Sequence, residues 1–275
     1  LLPPGEYFLV TTTLPHSVHP VARQHFKKVL SAFFSASGKA VIQLASDPRF
    51  LGGRPGALGV IQTWERYMRL HIHVHFLVPA GALLSTKHHR WIRPRKSTFL
   101  IHGQPLGLLV RGKFKDAMKK AGLFDAIPKS TWTTDWVADC KHIGSSHHAL
   151  KYLAPYIYRT AISNKRVVSL EEGVVTFKVW HREQKRYTSE QLSASRFLGR
   201  FLQHVMPKGL QRVRYFGLLH PRNRALLNIA RFILGKQPYV KPQKTQDPNR
   251  AFRPCPHCGG ELFLLGNALR GRGPP

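Results

Sequence analysis

The chain has 275 residues, 43% of them hydrophobic, enough to fill the core of one large domain or two smaller ones. Lys and Arg number 43 against 13 Asp and Glu, a formal net charge of +30 spread along the whole length, so a polyanionic partner is implied and nucleic acid is the first candidate. No apolar stretch is long enough to span a bilayer, no cleavable leader is visible, and Cys140, Cys255 and Cys258 make no disulfide framework; a cytoplasmic, nucleoid-associated bacterial protein is expected.

In chain order, EYFLVTTTLP predicts a strand, and residues from Val18 to about Ala36 an amphipathic helix with Phe26, Val29, Leu30 and Phe33 on one face. DPRFLGGRPG is a loop. ALGVIQTW and LHIHVHFLVPA predict two strands paired antiparallel across the connector ERYMR. A basic stretch, HHRWIRPRK, precedes a helix over Leu109 to Lys120, and TWTTDWVADC is strand-like. SSHHALKYLAPYIYRTAI has helical composition, with Pro155 deep inside it. RVVSL, VVTFKVW and KRYT predict a meander, followed by a helix from about Ser189 to His204, a strand at RVRYFGLL and a basic amphipathic helix at RNRALLNIARFIL. From Gly235 the composition turns to Pro, Gln, Lys and Asn, a linker ending at CPHCGG. The order is mixed, so the expected fold class is α+β, a mainly antiparallel sheet with flanking helices. A start at Leu1 and an end in RGRGPP read as a fragment.

Alternate residues of a strand share a face, which puts His71, His73 and His75 on one side. Same-face neighbours lie roughly 7 Å apart, so two adjacent imidazoles can converge on one ion while the outer pair cannot. A further ligand must come from elsewhere: Gln62 on the preceding strand can reach across the hairpin, and Glu65 is the acidic alternative. Two imidazoles, one oxygen and open positions suit Mg²⁺ or Mn²⁺ acting as a Lewis acid on a phosphate. The alternative is a polar strand face in a chain with 16 His.

Tyr152 and Tyr156 are four residues apart and share a helical face, with Tyr158 turned away and Pro155 expected to kink the axis between them. Aromatic packing is the plain reading of such a pair. A phenol, with a pKa of about 10, becomes a useful nucleophile toward phosphorus when a cation or a polarised target helps it.

Taken together, HVHFLV, YLAPY followed by RTAISNKR, VTFKVW and MPKGLQRVRYFGLL resemble the two-tyrosine HUH transposases of the insertion sequence 91 type, from about Leu1 to Leu234. The resemblance implies that His73 and His75, the pair directly before the apolar run, hold a divalent metal, and that Tyr152 and Tyr156 are the nucleophiles. His71 then becomes a neighbour outside the ligand set, a phosphate or outer contact. It also implies rolling-circle transposition: metal-dependent nicking and strand transfer of single-stranded or hairpin DNA through a 5′-phosphotyrosine. Two departures stand out. Family members usually begin with a Cys-rich zinc module, whereas the sequence opens at the first strand expected of the catalytic domain, and Gln62 stands where the family pattern has His. The implied domains are a catalytic domain over 1–187, a helical and strand extension over 188–234, and a basic linker with a CxxC tail over 235–275.

Lys151, Arg159, Lys165 and Arg166 are candidate phosphate contacts. Trp64, Trp91 and Trp132 are candidates for stacking unpaired bases, with core packing the alternative. Cys255 and Cys258 make half of a tetrahedral Zn²⁺ site, or an idle pair. Competing functions are a non-catalytic nucleic-acid-binding transposase remnant, a metal-independent tyrosine recombinase, and a hydrolytic zinc enzyme, against which the lack of a helical His motif with a nearby Glu counts.

Overall fold

The β-branched and aromatic run at the start of the chain forms strand β1 (Glu6–Thr13) in the computed structural model. The structure describes residues 2–86, 88–158, 160–181 and 183–235, apart from the side chains of 150 and 154–158, and the backbone of residues 252–254 and 261–263. Two compact units divide the chain, Leu1–Pro238 and Tyr239–Pro275.

After β1 come helices α1 (His19–Gln24) and α2 (Phe26–Ala45). The single helix expected from Val18 is therefore broken at His25, whose φ of −123° and ψ of 44° leave the helical region. Helix α2 continues past the expected end because Ala40, Val41 and Leu44 extend its apolar stripe along the core. Strands β2 (Gly56–Trp64) and β3 (Leu70–Pro79) form the expected antiparallel hairpin. A small ribbon follows, β4 (Ala82–Leu84) with β5 (Arg90–Ile92), and then helix α3 (Gly103–Lys120).

TWTTDWVADC is only partly a strand. Residues Lys129–Trp132 make a 3₁₀ turn, and the strand β6 begins at Ala138 and runs to Ser145. The turn is stabilised locally, since the Trp136 indole N–H donates to the Thr131 carbonyl at 3.0 Å. Helix α4 (Ser146–Tyr158) follows directly and runs unbroken through Pro155. The meander comprises β7 (Val167–Glu171), β8 (Val174–His181) and β9 (Arg186–Ser193), which pair in that order. Here the helix expected over 189–204 begins five residues late. Residues 186–193 pair along β8, with Leu192 opposite Val175, and only Ala194–Leu202 form helix α5. Strand β10 (Val213–Gly217) and helix α6 (Arg224–Ile233) complete the first unit. In the second unit β11 (Phe252–Pro254) pairs antiparallel with β12 (Glu261–Phe263). Among the described residues no helix is long and apolar enough to cross a membrane.

The main sheet has the order β10-β2-β3-β1-β6, and every neighbouring pair is antiparallel. The expected α+β class is thereby confirmed. Strict alternation along β3 sorts its side chains. Ile72, Val74, Phe76 and Val78 join the core that holds Phe33 and Phe34 of α2 and Val110 and Phe114 of α3. The other parity carries the histidines and then Leu77, which packs with Tyr7, Leu9, Leu58 and Val60 beneath Ala149 and Leu153 of α4 and Leu227 and Ala230 of α6. A third cluster joins the inner face of the meander, Phe177 and Val179, to Met68 at the β2–β3 turn and to Phe197 and Phe201 of α5.

Candidate active site

Cross-strand register assembles the site. On the central sheet Thr13 pairs with His73, and His73 with Gln62; one step along, Thr11 pairs with His75, and His75 with Val60. Directly paired residues point to the same side, so Gln62, Thr11 and the histidines share one face. The rings of His71 and His73 have centroids 5.0 Å apart, and those of His73 and His75 4.8 Å. His73 and His75 are buried and His71 is half-buried.

Hydrogen bonds then orient the rings. His73 Nδ1 lies 3.0 Å from the His71 carbonyl, which can only accept, so Nδ1 carries a proton. Its Nε2 faces the Gln62 side-chain oxygen at 2.9 Å, another acceptor. A neutral imidazole has one N–H, so the second contact sets lone pair against lone pair. Two arrangements resolve this: rotation of the Gln62 amide to present its NH₂, or a cation held between Nε2 and Oε1. The 2.9 Å separation fits both, as a hydrogen-bond length and as the spacing of adjacent ligands about 2.1 Å from an octahedral ion. His75 Nδ1 is 3.0 Å from the Thr11 hydroxyl, a partner that can fix its ring in the same way.

Burial keeps these imidazoles neutral. It depresses His73 to about 4, helped by His71, and His75 to about 3, helped by His73 and His71. Neutral rings offer the lone pairs that metal coordination needs. His71 is also held low by burial and by His16, with Glu65 opposing. Glu65 itself is turned to the hairpin bend, where its carboxylate is 3.2 Å from Arg69. Among the described residues no group of three or more His, Cys, Asp or Glu is arranged to hold a metal ion. The donor set on this face is two imidazoles and an amide.

Two residues beyond the sequence expectations extend the array. His16 follows β1 and places its ring 5.7 Å from that of His71, and His19 lies 4.6 Å from His16. The signal was present in HSVH immediately after the first strand, but only the β1–β3 register brings it beside His71.

Helix α4 covers the same side of the sheet. Its Ala149 and Leu153 are buried in the cluster with Leu9 and Leu77, the parity shared by the histidines. Tyr152 and Lys151 are exposed beside Leu153. The helix backbone spans Pro155 and Tyr156 without a break; the Tyr156 side chain lies outside the described residues. Arg159, Cys255 and Cys258 also lie outside them.

The remaining expected contacts are dispersed. Lys165 is exposed in a 3₁₀ turn after α4. Arg166 acts as a staple, its Nε donating to the Lys178 carbonyl at 2.7 Å and its Nη2 to the Arg66 carbonyl at 2.9 Å. The three tryptophans pack. Trp132 stacks on Phe124 at 5.4 Å and on Trp136 at 6.3 Å, Trp64 lies under the Arg212 guanidinium at 5.4 Å, and Trp91 packs against the α4-side core.

Comparison with known proteins identifies the family. Residues 56–225 match the family model described as "Putative transposase". The "Putative transposase y4qJ" of Sinorhizobium fredii is 31% identical over 294 residues, covering 94% of this chain and 73% of that protein. The transposase for insertion sequence element IS801 of Pseudomonas savastanoi pv. phaseolicola is 25% identical over 241 residues, covering 80% of this chain and 56% of that protein. No solved structure matches the chain. With a family model over most of its length and a relative matched nearly end to end, the chain belongs to the transposases of the insertion sequence 91 type.

Proposed function

We propose that this transposase nicks and rejoins DNA strands through a covalent tyrosine intermediate in a rolling-circle reaction. The observation that carries this reading is one sheet face with His73 and His75 oriented by His71 and Thr11, Gln62 opposite them in register, and the tyrosine helix on the same side. His73, His75 and Gln62 would hold Mg²⁺ or Mn²⁺, which when bound polarises the scissile phosphate as a Lewis acid. The His71 carbonyl holds His73 in the Nδ1–H form, and the Thr11 hydroxyl, accepting from His75 Nδ1–H, would do the same for His75, so that each ring directs Nε2 at the ion.

Tyr152 or Tyr156 supplies the nucleophile. Its phenolic oxygen attacks phosphorus, the P–O bond to the 3′-oxygen breaks, and that oxygen leaves as a 3′-hydroxyl while the 5′-phosphate stays on the tyrosine. The phosphodiester bond is conserved in the adduct, so rejoining to another 3′-hydroxyl requires no nucleotide. Two tyrosines support two such exchanges. The substrate is single-stranded or hairpin DNA at the ends of the mobile element and in its target, attracted by the +30 charge and contacted by Lys151 and Lys165.

The test uses the full chain, Mn²⁺ and labelled single strands from the DNA flanking its gene. A denaturation-resistant protein–DNA adduct with the label 3′ to the nick is expected, lost in the Tyr152→Phe, Tyr156→Phe double variant. Retention of the adduct in that variant, or a 3′-phosphotyrosine adduct carrying the label 5′ to the nick as in tyrosine recombinases, overturns the assignment. Binding with no metal-dependent adduct identifies a non-catalytic remnant.

A further inference from the structure

The outer face of the three-stranded meander carries an aromatic pair that the site above leaves unused. Along β8 the side chains alternate: Val175, Phe177 and Val179 are buried, the latter two against Met68 and α5, while Lys178 and Trp180 are exposed on the other face. Trp180 pairs directly with Tyr187 of β9, their rings edge to face with centroids 5.0 Å apart. Trp180 is 39% and Tyr187 58% exposed. Large aromatic rings left in water on a sheet whose opposite face already supplies its core offer a stacking surface.

Cations frame the pair. Lys178 lies two residues before Trp180 on the same face, Lys185 lies in the turn that leads into Tyr187, and the Arg166 guanidinium is close enough to Tyr187 to interact electrostatically. Glu183 in the β8–β9 turn is one acid among them. The position also matters. Arg166 bonds the Arg66 carbonyl at the β2–β3 turn, and Met68 of that turn sits in the meander's core. The sheet is therefore docked at the end of the hairpin from which β3 enters the site through His71 and His73.

We propose that Trp180 and Tyr187 form a second DNA subsite, which stacks unpaired bases of the single strand that enters or leaves the tyrosine helix while Lys178 meets its phosphates. This rests on single-stranded DNA being the substrate. Base stacking on aromatic rings accepts any sequence, which suits a platform that holds flanking DNA rather than reading the cleavage site. Duplex DNA hides its base faces and would gain only from the cations.

The test measures binding of the full chain, without metal, to a fluorescein-labelled oligothymidylate and to a duplex of equal length. In the Trp180→Ala, Tyr187→Ala variant the single-strand affinity should fall on the order of 10- to 100-fold with duplex affinity little changed, and Trp180→Phe, Tyr187→Phe should retain most of it. Photocrosslinks from 5-iododeoxyuridine in the oligonucleotide should map to the peptides holding Trp180 and Tyr187. Unchanged single-strand affinity, an equal loss on duplex, or crosslinks confined to other peptides would overturn the subsite. If the wild-type chain forms the Mn²⁺-dependent adduct yet the alanine variant binds normally, the subsite alone is wrong; strong stacking-dependent binding without any adduct leaves the subsite standing and removes the nicking activity.

Discussion

His73 Nε2 and the Gln62 side-chain oxygen face each other at 2.9 Å from directly paired positions of neighbouring strands. If that spacing is set for a shared cation, shortening residue 62 removes one ligand and leaves the imidazoles in place. Gln62→Ala is expected to weaken Mn²⁺ binding by at least about tenfold in an electron paramagnetic resonance titration, with Gln62→His restoring it. Equal affinity in all three proteins would show that residue 62 is no ligand.

Thr11 gives a separate handle on His75. A hydroxyl 3.0 Å from Nδ1 can be replaced by a methyl group of similar size, releasing the ring's preference between its two neutral forms. Thr11→Val should shift the ¹⁵N resonances of the metal-free His75 ring and reduce Mn²⁺ affinity by about tenfold, whereas Thr11→Ser should leave both near wild type. Identical ring spectra in the valine variant would refute the positioning role.

His19 ties stability to pH. It is 4% exposed, its Nε2 is buried with no hydrogen-bond partner, and burial, then His16, Arg23 and His71, lower its pKa to about 4. The unfolded histidine takes up a proton near pH 6.5, so below that the unfolded chain binds more protons and stability falls as pH drops toward 4. Between pH 7 and pH 5 this residue alone should cost on the order of 2 kcal/mol. Urea unfolding of His19→Leu at both pH values should show a smaller acid loss than wild type; an equal loss would mean His19 is protonated in the fold.

Gly38 sets how closely β10 approaches α2. A Cβ at this helical position would overlap the Phe216 ring, which also packs on Phe34 and Phe76 with centroids 5.8 Å away in each case. Gly38→Ala gains helix propensity but overpacks the core, and a net loss of about 1–3 kcal/mol is expected from the urea midpoint. A stabilised variant would show that Phe216 moves aside at little cost.

Period-2 alternation was enough to place the three histidines on one face, and the polar connector ERYMR was enough to pair their strand with the one carrying Gln62. Helical spacing likewise put Tyr152 and Tyr156 four residues apart on one helix, and the motifs named the transposase family. Local patterns of this kind depend on backbone geometry alone, which any stretch of sequence reports about itself. They failed where a period was ambiguous, as at 189–193, where residues read as helix are held in a strand by pairing with β8.

What the tertiary structure decided is everything that depends on residues distant in sequence meeting across the sheet. Thr11 reaches His75 across 64 positions, His16 comes beside His71 only through the β1–β3 register, and Trp180 stays in water because Phe177 and Val179 took the inner face of the meander. No local pattern separates an aromatic residue that packs from one that does not: Trp132 is stacked and Trp180 is exposed because of which neighbours the fold brings to each. The face of LHIHVHFLV was a property of the strand itself, whereas the orientation of its rings, and the shell of oxygens that sets it, belong to the folded sheet.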